Sequence, residues 1–351
     1  MLLKDCCTFQ EGYVNPDKTK PEYFKNGNIN WLKATDINKS FIYDTEDKIN
    51  EDGLNSCSNK TVFPINSIVL SKSGTIGNVA ILKCNAYGNR ATIDIIPNEK
   101  LANPMFIYYL LVAKKEELKK RAVGSIQKNL YISCLETIEI SEFDRNTQDK
   151  IANILSNIDN QIERNNAMTK RLQVLGNTIY SKEINKDTKY FDLKTVANIS
   201  TGKEDANFAS PNGKYNFYTC SEEISKCNEF AFDGNSILIA GNGNFNVKYY
   251  NGKFNAYQRT YVIQNDTLFG NIYYSSLKSV DGFTKNANGS IIKFITLGLV
   301  QDIKIPILSD KTNILLNDIV SQKNKIILET EKLNQLKNKL LPLLINGQLE
   351  V

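Results

Sequence analysis

One set of short signatures occurs twice along this 351-residue chain, in the same order and at nearly the same offset. Ser67-Ile68-Val69-Leu70 returns as Ser236-Ile237-Leu238-Ile239, 169 positions later. Asn85-Ala86-Tyr87, with Arg90 and Thr92 behind it, returns 170 positions later as Asn255-Ala256-Tyr257 with Arg259 and Thr260. Gly124-Ser125-Ile126 returns as Gly289-Ser290-Ile291, 165 positions on, and "ETIEISEFD" (136–144) parallels "QDIKIPILSD" (301–310). Each match alone is compatible with chance. Their common order argues for a tandem duplication, so the chain is expected to fold as two related modules.

Each half carries short runs rich in Val, Ile, Tyr, Phe and Thr, broken by Asn-Gly and Gly-Asn turns: "SIVLSKSG", "NVAILKC" and "RATIDIIP", then "SILIAGNG", "NVKYYNGKF" and "RTYVIQ". These read as strands of a mixed or antiparallel sheet. "NPMFIYYLLVAKKEELKKR" (103–121) reads as one helix, with Asn103 as cap, Pro104 in the first position and basic residues in the last turns. Residues 266–280 form a weaker equivalent.

Two longer helices follow the modules. The first is expected from about Thr147 to Glu183, with Ile151, Leu155, Ile158 and Ile162 on one stripe, resumed by Met168, Leu172, Leu175 and Ile179 after a shift near Asn165. The second is expected from about Asn313 to Leu344. Leu315, Ile319, Gln322, Ile326, Glu329, Leu333, Leu336, Leu340 and Leu343 keep a heptad register there. Each would be roughly 45–55 Å long at ~1.5 Å per residue. An apolar stripe that long must meet another helix, and the two are expected to pair within the molecule as an antiparallel coiled coil. Gln322, Glu329 and Asn165 would be polar seam positions. The simpler alternative is two amphipathic helices, each packed on its own module. The fold class is therefore α+β, divided as 1–145 (first module), 146–186 (central helix), 187–310 (second module) and 311–351 (C-terminal helix).

Composition narrows the chemistry. There is no histidine, which removes Ser-His and Cys-His nucleophile pairs and His-ligated metals. Seven scattered cysteines without a Cys-x-x-Cys pair point to reduced thiols and away from a zinc site. The segment Met1–Gly12 turns polar too early for a signal peptide, and no apolar run reaches the ~20 residues of a membrane span. A cytoplasmic location is expected. The formal charge of +5 is mild, so a nucleic-acid binder would have to gather it on one face.

Two glycine motifs resemble nucleotide loops. "GTIG" (74–77) lacks the Gly-Lys-Ser/Thr ending of a P-loop and opens no helix; "GNGNFN" (241–246) has Asn246 in place of the third glycine. Both read better as strand-to-strand turns. Asn103-Pro104-Met105-Phe106 resembles the box with which amino-methyltransferases hold a target adenine. No S-adenosylmethionine-binding glycine loop accompanies it, and a helix start explains the same residues. The loops rich in basic and amide side chains are more informative: Lys18 and Lys20; Lys72, Ser73, Thr75 and Asn78; Arg90; Gln127, Lys128 and Asn129; then Asn242, Asn244 and Lys248; Gln258 and Arg259; Lys285, Asn286 and Asn288. Lysine and arginine neutralise phosphates, and Asn, Gln and Arg can pair with base edges.

Several longer stretches are similar to the specificity subunits of Type I restriction-modification systems. They are "EYFKNGNINWLKATDI" (22–37), "VLSKSGTIGNVAIL" (69–82), "GSIQKNLYISCLETIEI" (124–140), "QDKIANILSNIDNQIE" (148–163) and "LKNKLLPLLINGQL" (336–349). The second half departs from the pattern, with "GNGNFN" where "GTIG" would stand. The resemblance implies a non-catalytic subunit whose two target-recognition domains each read one half of a bipartite site in double-stranded DNA. The paired helices would set the gap and dock two methyltransferase subunits, which bring S-adenosylmethionine; this chain would hold no cofactor or metal. Nuclease-translocase subunits would join for cleavage. The competing classes are an adenine-N6 methyltransferase using residues 103–106 and a coiled-coil scaffold that binds no DNA.

Overall fold

The computed structural model describes residues 1–57, 61–125, 128–140, 142–285 and 294–351, apart from the side chains of 284 and 285. It divides into two compact units: Met1–Ile162 with Lys332–Val351, and Glu163–Glu331.

In the first unit the strands are β1 (Cys7–Glu11), β2 (Ile29–Leu32), β3 (Phe41–Ile42), β4 (Asp47–Ile49), β5 (Ile68–Ser71), β6 (Val79–Leu82), β7 (Tyr87–Gly88) and β8 (Thr92–Pro97). They form a sheet of order β1-β8-β5-β6-β3, antiparallel except for β3–β6, and a small sheet β4-β2-β7 in which β2 and β7 run parallel. The helices are α1 (Glu51–Asn55), α2 (Pro104–Ala113), α3 (Lys115–Arg121) and α4 (Ile132–Glu136), followed by the long α5 (Arg145–Glu183). Ile68, Leu70, Ile93 and Ile95 face one core, shared with α2 and with Ile151 and Leu155 of α5. Val69, Ala80 and Leu82 face a second core with Leu32, Ile37 and Phe63. A sheet covered on both faces needs apolar residues on both, which is why β5 reads as a continuous run and does not alternate.

The second unit repeats the plan. Its strands are β9 (Tyr190–Asp192), β10 (Asn198–Thr201), β11 (Tyr215–Tyr218), β12 (Ser225–Cys227), β13 (Asn235–Ala240), β14 (Val247–Asn251), β15 (Phe254–Ala256), β16 (Thr260–Gln264) and β17 (Lys304–Pro306). Sheet β10-β16-β13-β14 corresponds to β1-β8-β5-β6, and β12-β11-β15, with its parallel β11–β15 pair, to β4-β2-β7. Its helices are α6 (Leu193–Val196), α7 (Phe269–Lys285) and α8 (Leu297–Gln301), and α9 (Asp310–Ile345) begins in it. Ile237, Ile239 and Ile263 pack with Ile272, Tyr273 and Tyr274 of α7 and with Leu316, Ile319 and Val320 of α9.

The helix expected over 103–121 is two. Asn103 caps α2 by accepting the Phe106 N–H at 3.0 Å, but Lys114 leaves the helical region at φ −87°, ψ 11°. The sequence turns from apolar to charged at that point, so a segment buried on nearly every side cannot continue in the same direction. The two long helices do pair, running antiparallel within each unit. In the first, Lys337 bonds Asp159 and Lys150 bonds the Val351 carbonyl. In the second, Lys323 bonds Gln173 and the Ser309 N–H donates to Glu183.

The heptad register of α9 requires correction. Leu316 and Val320 are buried, whereas Leu315 (42% exposed), Leu336 (45%) and Leu343 stand out, and Gln322 and Glu329 are not buried either. On α5, Ile151, Leu155 and Asn165 are buried and Ile158, Ile162, Leu172 and Ile179 half-buried, but Met168 and Leu175 are exposed. Ile319 is buried, and Ile326, Leu333 and Leu340 lie between these extremes or outside the core. Each helix faces both its long neighbour and a module, so its apolar stripe is wider than a coiled-coil seam and centred elsewhere. Among the described residues no helix is long and apolar enough to cross a membrane.

Candidate nucleic-acid interface

Both units build the same backbone junction where a central strand ends. In the first, the Lys72 N–H donates to the Ala91 carbonyl at 2.8 Å, and the Leu130 N–H donates to the Lys72 carbonyl at 2.9 Å. In the second, Gly241 donates to Arg259 and Ile295 to Gly241, both at 2.8 Å. Around it, Gly12 donates to Thr92 and Asn89 to Leu32; in the second unit Gly202 donates to Thr260 and Tyr257 to Tyr218. Three chain segments remote in sequence thus meet twice in one arrangement, and most of the basic and amide residues singled out from the sequence lie on them.

Several of these side chains are committed to bonds within the fold, and others are exposed. Lys72 pairs with Glu11 at 2.9 Å, and its side chain is only 13% exposed. Ser73 is buried, and its carbonyl accepts the Ser71 hydroxyl. The Thr75 hydroxyl lies 3.1 Å from that of Ser71, and the Asn78 amide donates to the Ile37 carbonyl at 2.9 Å. Lys248 donates to the Ser221 carbonyl at 2.7 Å and to Asn246, and burial pushes its ammonium below the ordinary lysine value. These groups hold the turns in shape. Arg90, Lys128, Asn244, Gln258 and Arg259 are exposed; Asn129 exchanges backbone bonds with Val123, and Asn242 is bridged to Phe294. Lys18 and Lys20 sit apart, in the loop before the Pro21–Tyr23 turn, where Lys20 reaches the Tyr23 hydroxyl at 3.3 Å. Gln127, Asn286 and Asn288 lie outside the described residues, as does the side chain of Lys285.

Residues 103–106 are spent on packing. Asn103 also donates from its amide to Asp149 at 2.6 Å, and its N–H donates to Gln148 at 3.0 Å. Phe106 is wholly buried, stacked edge-on against Phe143. Lys115 and Lys119, which the sequence offers only as basic residues in the last turns of a helix, line a groove beside the "GTIG" turn. Their spacing of four puts them on one helix face, which was the available signal.

A junction rich in basic and amide groups, presented twice by one topology and joined to paired long helices, defines a tandemly duplicated α+β module. The family profile of the Type I restriction modification DNA specificity domain matches residues 1–174 and again 185–338, and the chain belongs to that family. It is 37% identical over 172 residues to the Type I restriction enzyme EcoDI specificity subunit of Escherichia coli, covering 46% of this chain and 39% of that protein. It is 34% identical over 150 residues to the MjaIX specificity subunit of Methanocaldococcus jannaschii, covering 41% and 34%. The chain thus spans about two-fifths or less of the length of the curated relatives it matches. The crystal structure of the Type-I restriction-modification system S subunit from M. genitalium shares the fold, with a TM-score of 0.67 at 18% identity over 98% of this chain and 95% of that one.

Proposed function

We propose that this chain is the DNA-reading, non-catalytic specificity subunit of a Type I restriction-modification complex. Residues 1–145 and 187–310 act as target-recognition domains, each reading one half of a bipartite duplex site. The long helices, 146–186 and 311–351, set the number of unread bases between the halves. They also dock two methyltransferase subunits, which carry S-adenosylmethionine and methylate adenine, and nuclease-translocase subunits join for cleavage in the cytoplasm.

The twofold match of one family to one chain carries this reading. The repeated junction supports it, because two half-sites call for two similar readers whose exposed side chains differ. Apolar side chains left exposed on the long helices support docking: Met168, Val174, Leu175, Ile314 and Leu315 in one unit, Ile154, Leu336 and Leu343 in the other. The commitment of Asn103 and Phe106 to packing speaks against the chain's being a methyltransferase itself.

The test is the methylated motif of host DNA, mapped with and without this gene. A split motif that vanishes on deletion is expected; an unchanged methylome rejects the reading. Lengthening both long helices by one turn adds ~5.4 Å, about one to two base pairs at ~3.4 Å each, so the gap should widen. An unchanged gap rejects the spacer role.

A further inference from the structure

A groove of about 470 Å³ lies beside the "GTIG" turn of the first unit, lined by Gly74, Thr75, Ile76, Asn78 and three lysines, Lys115, Lys119 and Lys128. Gly74 and Gly77 take positive φ (74° and 81°), and a Cβ on Gly77 would come within 3.3 Å of the Lys115 side chain. The turn is therefore laid directly on the first residue of α3. Lys119 is held at 2.6 Å by Glu116, whereas Lys115 and Lys128 make no ion pair with any described residue. Glu116 compensates Lys119 and acts more weakly on Lys115, so the three ammonium groups keep a net positive potential in the groove that attracts an anion.

We infer that this groove grips the phosphate backbone of duplex DNA through Lys115 and Lys128, with Lys119 as a partly compensated third cation; this rests on the DNA-reading function proposed above. The site is built for phosphate and not for bases. Reading a base edge takes an amide or guanidinium fork, yet the Asn78 amide is spent on Ile37 and the Thr75 hydroxyl faces Ser71. A lysine is a point charge with donors only, which suits a phosphate oxygen and distinguishes no base. Gly74 is open on its outer side, where a Cβ would meet nothing within 4 Å, and this allows close backbone approach. The second unit offers no equivalent at the position of Lys115: Val280, at the 165-residue offset that relates Tyr108 to Tyr273, is buried.

The experiment uses the full chain co-purified with its methyltransferase, titrated between 50 and 200 mM salt, the range over which phosphate contacts are read out. The probes are a duplex carrying the mapped motif and one with that motif scrambled. Lys115→Gln with Lys128→Gln is expected to flatten the slope of log K against log salt by roughly one to two units, at ~0.9 per phosphate, equally on both duplexes. The Lys115→Arg, Lys128→Arg pair should keep the wild-type slope. A wild-type slope in the Gln pair overturns the inference, as does a loss confined to the motif duplex, which would mark a base contact. Should the Gln pair unfold, Lys128→Gln alone, on an exposed loop, should still lose about 0.9. If the wild-type assembly fails to discriminate the two duplexes, the DNA-reading function falls, while the slope on the scrambled duplex still decides the groove.

Discussion

The Lys337 ammonium lies 2.6 Å from the Asp159 carboxylate, and the two side chains are only 13% and 3% exposed. The other carboxylate oxygen accepts the Tyr109 hydroxyl at 2.8 Å, so α2, α5 and α9 meet in one polar knot inside an apolar core. The second unit has a neutral version: Lys323 reaches Gln173 and, at 2.7 Å, the Tyr273 hydroxyl. Its partners there carry no charge, and burial pushes its pKa down to about 8.

Removing one member of the charged knot strands the other. Lys337→Met is expected to destabilise by about 3–5 kcal/mol, because Asp159 is left buried and unpaired. Replacing both with apolar residues should recover most of that loss. Lys323→Met should cost less, since it leaves only neutral groups behind. Denaturant unfolding of the two single variants and the double variant checks the ordering.

Asp94 predicts a pH dependence. It is fully buried on β8, and burial, which outweighs the weak contacts from the Ser67 hydroxyl and the Ile95 N–H, raises its pKa to about 7. The folded chain therefore holds the proton more tightly than the unfolded one, whose carboxyl titrates near ~3.9. Below about pH 4 both states are protonated and the group is neutral to stability. From about 4 to 7 the unfolded state ionises first, so stability falls as pH rises, by up to about 4 kcal/mol. Asp94→Val, which matches Val262 of the second unit, should be more stable than wild type at pH 8 and nearly equal to it at about pH 4. Thermal melts at the two pH values decide this.

Asn103→Ala separates packing from catalysis. Loss of the helix cap is expected to cost about 1 kcal/mol, with more from the lost bond to Asp149. Methylation of host DNA by the assembled complex should persist at a temperature the variant survives. Abolished methylation in a folded variant would revive the adenine-box reading.

Gly12 and Gly202 should behave as a pair. A Cβ on Gly12 would lie 1.9 Å from the Asn89 carbonyl oxygen, and one on Gly202 2.2 Å from that of Ala256. Either alanine substitution forces backbone apart at the edge of the junction, at about 1–3 kcal/mol or more. Parallel losses in melting temperature would show that the duplication extends to this close approach.

The sequence by itself determined what depends on neighbours within a turn or a strand. The cap at Asn103, the apolar runs of β5 and β13, the Asn-Gly turns, the two long helices and the duplicated order all arise from hydrogen-bond geometry and hydrophobic period over a few residues. Other features depend on residues far apart in the chain, and only the tertiary structure decided them. Leu316, and not Leu315, is buried because the module as well as the neighbouring helix presses on α9. Lys72 is neutralised because β1 brings Glu11 beside it, while Lys115 and Lys128 come together across the "GTIG" turn without an ion pair to any described residue. The pairing of charges and the buried face of a helix are properties of contact, and a local pattern carries no record of which distant residue will supply it.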